Sequence, residues 1–163
     1  MSNTQQKPMD ISTQLYNNIK KMNAKEYLEQ AFRLEQRING KLMQVSALRS
    51  LAAKSTAIIR KDPVVTGGKE ILMEDTIIRI VDLEREINQE IDRLVELRQE
   101  IAVMISRVEN PEEQIVLEMR YLSYKKWPEI RSEMNCSKTT AFRWHQNALE
   151  EIEKIREASV PLT

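Results

Sequence analysis

The sequence contains little of what most enzyme and secreted-protein folds require. Its 163 residues include only 3 Gly, one Cys and 5% aromatics. One cysteine excludes an intramolecular disulfide and suits a reducing cytoplasm. No apolar run is long enough to cross a bilayer, and the polar first 21 residues have no signal-peptide core. We therefore expect a cytoplasmic protein without membrane contact, with a disordered tail over residues 1–22.

Catalytic and metal-binding constellations are also missing from the sequence. His145 is the only histidine and has no Cys or carboxylate cluster at metal-ligand spacing, so we predict a surface or phosphate-side position for it. Gly67-Gly68-Lys69 lacks the remaining residues of a phosphate-binding loop and reads as a turn before a helix. We expect no enzyme activity, no cofactor and no metal.

Two long helices are predicted in the front part of the chain. Asn23 and Glu26 have capping-box spacing, which predicts a helix from Ala24 to near Arg60, where turn signals follow. A second helix is predicted from about Lys69 to Val108. In it, apolar residues repeat every seven positions, as in a coiled coil: Ile80, Ile87, Leu94, Ile101 and Val108. Glu90 interrupts a second row, which consists of Leu83, Leu97 and Met104.

Opposite charges favour pairing of these two helices within one chain. Residues 24–61 contain 8 basic and 3 acidic residues, a net +5, whereas residues 69–109 contain 6 basic and 11 acidic, a net −5. The connection is short, so we predict an antiparallel helical hairpin over residues 23–109. A homodimer through a second face of the hairpin stays open.

Three shorter helices are predicted over residues 110–158. Asn110 is a suitable N-cap, with Pro111 at the first helical position and Glu113 at capping-box spacing. A second helix is predicted near Trp127, and Ser137 caps a third, longer helix after a short turn. This order is typical of a DNA-binding helix-turn-helix. The predicted fold class is thus all-α, a coiled-coil hairpin followed by a tri-helical unit.

The third helix has an apolar side and a polar side. The residues predicted to pack inward are Ala141, Trp144, Ala148, Leu149, Ile152 and Ile155. The opposite side consists mostly of hydrogen-bond donors suited to base edges: Lys138, Thr139, Phe142, Arg143, Gln146 and Asn147. The net charge of the whole protein is zero, but residues 120–147 hold 6 basic and 2 acidic residues, a local basic surface that suits phosphate. The alternative is a three-helix packing unit with a merely solvated polar face.

Four short runs carry a resemblance to a known family. They are P-E-E-x-x-V-L-x-x-R-Y at Pro111–Tyr121, W-x-E-I at Trp127–Ile130, C-S-x-x-T-A-x-R-W at Cys136–Trp144 and A-L-x-x-I at Ala148–Ile152. This stretch resembles the fourth conserved region of bacterial sigma factors. The whole chain resembles small phage- and prophage-encoded activators of late genes, called ArpU-like or RinA-like. Trp127 departs from the pattern, since sigma factors often have a small hydroxyl residue there.

The resemblance implies a transcriptional activator that binds double-stranded DNA at a phage or prophage promoter and touches host RNA polymerase. Lys138, Thr139, Phe142 and Arg143 match the base-reading positions of the sigma-like helix. The expected phosphate contacts are Lys125, Lys126, Arg131 and Gln146. Two other functions stay open. One is a phage DNA-packaging subunit of the small-terminase kind, and the other is a coiled-coil adaptor that binds no DNA.

Overall fold

A computed structural model of the protein describes residues 22–61 and 66–159, together with residues 10, 13, 14 and 17. Within these residues every regular element is helical, which confirms the all-α prediction. The elements are α1 (Ala24–Lys61), α2 (Thr66–Ile105), α3 (Pro111–Leu117), a π-helical turn (Glu118–Leu122), α4 (Trp127–Glu133) and α5 (Lys138–Ala158). The predicted disordered tail, residues 1–22, lies almost wholly outside the described residues. No helix in the described ranges has both the length and the apolarity to cross a bilayer.

The start of α1 follows the predicted capping box. Asn23 Oδ1 accepts from the Glu26 amide at 2.9 Å, and Glu26 Oε2 accepts from the Asn23 amide at 3.0 Å. The start of α2 corrects a prediction, because the helix begins at Thr66 and includes Gly67 and Gly68. Each Gly costs about 1 kcal/mol relative to Ala in a helix, which is little beside the packing of a long helix. The two glycines therefore do not delay its start.

The chain divides into two compact units. The hairpin unit consists of residues 31–100. The C-terminal unit consists of the described residues before residue 31 and those from Ile101 onward, and so it extends beyond the predicted domain of residues 110–158. Hydrogen bonds tie the start of α1 to α5 within this unit. Glu153 Oε2 accepts from the Ala24 amide at 2.6 Å, and Arg156 Nη1 donates to the Met22 carbonyl at 2.7 Å.

In the hairpin unit α1 and α2 run antiparallel, as predicted. Ile38, Val45 and Ile87 form its buried core, against which four partly buried residues pack: Leu34, Ile80, Leu83 and Leu94. Ion pairs cross between the helices, and partners later in α1 lie earlier in α2: Glu35–Arg98, Arg37–Glu90, Lys41–Glu86 and Arg49–Glu84. The opposite charges of α1 and α2 therefore form ion pairs beside the apolar seam.

The C-terminal unit is built around residues that are fully buried. They come from both long helices and from each later helix: Leu28, Ile101, Ile105, Val116, Leu117, Ile130, Ala141, Ala148 and Ile152. Asn110 and Ser137 cap their helices as predicted. Asn110 Oδ1 accepts from two amides of the first turn, and Ser137 Oγ accepts from the Thr140 amide at 3.1 Å. The helix boundaries of this unit thus follow from local sequence.

One element of the C-terminal unit was not predicted. The first of the three helices loses its α-helical pattern at Leu117 and continues as a π-helical turn, Glu118–Leu122. Tyr121 lies in this turn with 4% of its surface exposed, and Tyr124 follows with a φ of 53°. The wider turn rotates Tyr121 relative to an uninterrupted α-helix.

Candidate nucleic-acid interface

The first two turns of α5 present the four residues predicted to read bases. Lys138, Thr139, Phe142 and Arg143 are all exposed. Residues four apart on a helix are neighbours on one face, so Lys138 lies beside Phe142 and Thr139 beside Arg143. The structure therefore brings all four together on one accessible surface, which we call the α5 polar face.

Phe142 has a second role in this surface. Its ring centroid lies 4.5 Å from that of Trp127, and Lys138 Nζ lies 5.8 Å from the Phe142 centroid. The Phe142 side chain is still 38% exposed. One part of the ring joins α4 to α5 while the rest stays accessible. The contact also places the first residue of α4 beside the second turn of α5.

The four predicted phosphate contacts differ in their exposure and in the side chains they already contact. Lys126 is exposed and directly precedes Trp127, which puts it close to the α5 polar face. Lys125 Nζ lies 2.5 Å from Glu133 Oε2, so a phosphate would have to compete with that carboxylate. Gln146 donates to Glu150 at 3.4 Å, and Arg131 is half-buried. Lys126 is thus the best placed of the four.

His145 is half-buried and makes contacts within the unit, whereas a surface or phosphate-side position was predicted. Its Nε2 is 2.8 Å from Tyr121 Oη, and its ring meets Trp127 edge-on at a centroid distance of 4.9 Å. Burial, and after it the positive charges of Arg120 and Lys25, lower the pKa of His145 to about 4, against a smaller opposing effect of Glu29. The imidazole is therefore neutral at physiological pH.

The spacing of the buried residues explains this error. Ala141, Ala148 and Ile152 are fully buried, and position 145 continues their row in steps of four, three and four. Trp144, predicted to pack inward, lies at the edge of that row and is half-buried, as are Leu149 and Ile155. The helical spacing of position 145 therefore indicates an inward-facing residue, although histidine is polar.

Arg120 was not singled out from the sequence, although it organises this region. Its Nη1 donates to the Lys125 carbonyl at 3.0 Å, and its guanidinium carbon lies 5.3 Å from the centroid of the Trp127 ring. The indole of Trp127 therefore contacts Arg120, Phe142 and His145. Trp127 is thus a packing residue that joins α4 to α5.

Asn147 lies on the exposed side of α5, as predicted, and also has a partner within the unit. Although exposed, it donates from Nδ2 to Glu113 Oε1 at 3.0 Å, and Glu113 is only 8% exposed. This bond joins α3 to α5. The carboxylate expected to complete a capping box with Asn110 thus stabilises the orientation of α5 instead.

The charges around the α5 polar face favour an anionic partner. The sequence has no acidic residue between Glu133 and Glu150, and Glu133 is paired with Lys125. Acidic residues are concentrated in the second half of α5. Across residues 22–61 and 66–159, no three His, Cys, Asp or Glu side chains are grouped so that they could hold a metal ion.

Residues 54–153 match a family described as a protein family of unknown function, DUF1492. The chain belongs to the DUF1492 family. In this DUF1492 protein, the matched residues run from the last turns of α1 through α2, α3 and α4 into α5. They include all eight predicted DNA contacts. No curated protein and no solved structure matches the chain.

Proposed function

We propose that this DUF1492 protein is a sequence-specific DNA-binding transcriptional regulator, and that it activates late genes of a phage or prophage. The observation that carries the proposal is the α5 polar face, where Lys138, Thr139, Phe142 and Arg143 are exposed together on a helix held by a buried core. A short helix, a four-residue connection and a longer helix precede and include this face. Their arrangement is compatible with a helix-turn-helix.

The chemistry of the face suits the edges of bases in the major groove. The groove of B-DNA is about 12 Å wide and admits one α-helix. Arg143 can donate two hydrogen bonds to guanine, and the Thr139 methyl or the Phe142 ring can touch a thymine methyl. Lys126, beside this face, suits a phosphate of the DNA backbone.

The role in transcription rests on the resemblance to the fourth conserved region of sigma factors. That resemblance covers α3, α4 and α5, the same elements that build the α5 polar face. It supports contact with host RNA polymerase at a promoter. An in vitro transcription assay tests this role. Added protein should raise transcript from a promoter that carries its binding site, and no change or a decrease would contradict activation.

DNA recognition itself is tested by selecting binding sites for the full chain from a random duplex library. Arg143→Ala should then weaken binding to the selected site by about 1–3 kcal/mol and relax the preference at one base pair. Lys126→Ala should weaken binding to all sequences alike and lower the salt slope by about one. The matched control is Lys154→Ala, an exposed basic residue near the other end of α5, which should change neither quantity.

Three outcomes would contradict the proposal. If no duplex sequence is enriched, the protein is not a sequence-specific DNA reader, and a coiled-coil adaptor becomes the better account. If Arg143→Ala and Lys154→Ala have equal effects, the α5 polar face is not the reading surface. If the chain forms a ring of eight or more copies, a DNA-packaging subunit is favoured over a transcription regulator.

A further inference from the structure

The hairpin unit carries a second apolar row on α2, outside its buried seam. Ile77, Val81, Ile91 and Val95 are between 40% and 65% exposed. They follow the three- and four-residue spacing of a single helical face, with Glu84 and Asn88 completing the row. An amphipathic helix normally buries one such row. Helix α2 therefore has a second apolar row that α1 does not cover.

A groove between α1 and α2 continues this row onto α1. It encloses about 580 Å³. Its sides include one exposed apolar residue from each helix, Leu42 and Ile91, and small polar residues between them, Ser46 and Asn88. We call the groove together with the exposed row on α2 the groove face.

The groove face carries no net charge, although the two helices differ strongly in charge. The charged residues that line the groove are Arg49 and Glu84, which pair with each other across the two helices. A nucleic acid or a highly charged peptide would find no complementary field here. A second hairpin with the same neutral surface meets no like-charge repulsion.

We propose that the groove face binds a second copy of the chain, so that two hairpins form a four-helix core around a two-fold axis. In such an interface the same patch of both copies is buried, which requires a self-complementary surface. The row from Ile77 to Val95 is about 27 Å long at 1.5 Å per residue. A straight helix with the same spacing, such as α2 of the second copy, is the partner that covers a row of this length.

The test is the mass of the full-length protein in solution, measured by sedimentation across roughly 1–100 µM. The wild-type chain should be dimeric in the upper part of this range. The double substitution Ile91→Glu and Val95→Glu places four charges in the dimer and should raise the dissociation constant about 100-fold or more. Both side chains are exposed, so the helicity of the variant should match that of the wild type.

The matched control uses two exposed apolar residues of α1 that are not three or four positions from any residue of the groove face. Leu51 is 51% exposed and Ile58 is 48% exposed. Leu51→Glu with Ile58→Glu adds the same charge and should leave the dimer unchanged. If the Ile91 and Val95 variant loses helicity, Val95→Ser alone replaces it, and a weaker dimer is again expected.

Several results would overturn the proposal. They are a monomeric wild type at 100 µM, an assembly of more than two copies, or equal dissociation by the test and control pairs. A wild-type dimer that Val95→Ser and the glutamate pair both leave intact would also refute it. None of these results depends on whether the protein binds DNA, so the dimer and the proposed function are tested separately.

Discussion

Protonation of His145 should destabilise the protein as the pH falls. The imidazole lies against Tyr121 and Trp127, and its pKa in the folded protein is about 4. In the unfolded chain the pKa should be near the ordinary value of about 6.5. The folded state therefore binds the proton less readily. Stability is unaffected by this group above about pH 6.5 and is lost as the pH falls from there towards 4.

The size of the loss follows from the two pKa values. At pH 5 the unfolded imidazole is almost fully protonated, while most of the folded population is neutral. By linkage, the free energy of unfolding should fall by up to about 2 kcal/mol between pH 7.5 and pH 5, and by about 3 kcal/mol by pH 4. Against a typical total of about 5–15 kcal/mol, this is a large effect for one side chain.

Urea unfolding at pH 7.5 and pH 5 measures this loss, with His145→Gln as the control. Glutamine does not titrate, and its amide oxygen can accept a hydrogen bond from Tyr121 Oη. Carboxylates contribute to the pH dependence of both proteins, so the difference between them isolates His145. The wild type should lose about 2 kcal/mol more than the variant. Equal losses would refute the account of a buried neutral imidazole.

Three further substitutions, with Ser132→Ala as a control, test the packing and one helix cap. Ile152→Ala should lower the free energy of unfolding by about 2–5 kcal/mol, because Ile152 is fully buried. Trp144→Ala should lower it by less, since Trp144 is half-buried. The reverse order in urea unfolding would contradict the assigned faces of α5. Ser137→Ala should cost about 1 kcal/mol through loss of its cap on Thr140, whereas the exposed Ser132→Ala should cost much less; equal losses would show that the cap contributes nothing.

The parts of the fold that depend on neighbouring residues could be predicted from the sequence. The caps at Asn23, Asn110 and Ser137 act within one helical turn, so their spacing alone locates three helix starts. The seven-residue repeat and the contrast of charge were also sufficient for the antiparallel hairpin. The π-helical turn was not predictable in this way, because it depends on how Tyr121 packs within the unit.

The candidate site was predicted less fully than the fold. The exposed positions on α5 followed from helical periodicity, because the face of a helix opposite its packed side is exposed to solvent. The partners of long polar side chains did not follow. Lys125 pairs with Glu133, and Asn147 reaches Glu113 on another helix, which only the assembled unit brings within range.

Lys41 has a consequence for how the two long helices can align. Lys41 stands between the buried Ile38 and Val45 along α1, and its ammonium contacts Glu86 at 2.8 Å and Glu90 at 2.9 Å. If α1 slid along α2 by one helical turn, the leucines and isoleucines of the seam could still find apolar neighbours. The ammonium of Lys41, however, would then reach only one of its two carboxylates, because Glu86 and Glu90 are themselves one helical turn apart. A polar pair in an apolar seam thus distinguishes one alignment from its shifted competitors, and it explains why Glu90 interrupts the apolar repeat.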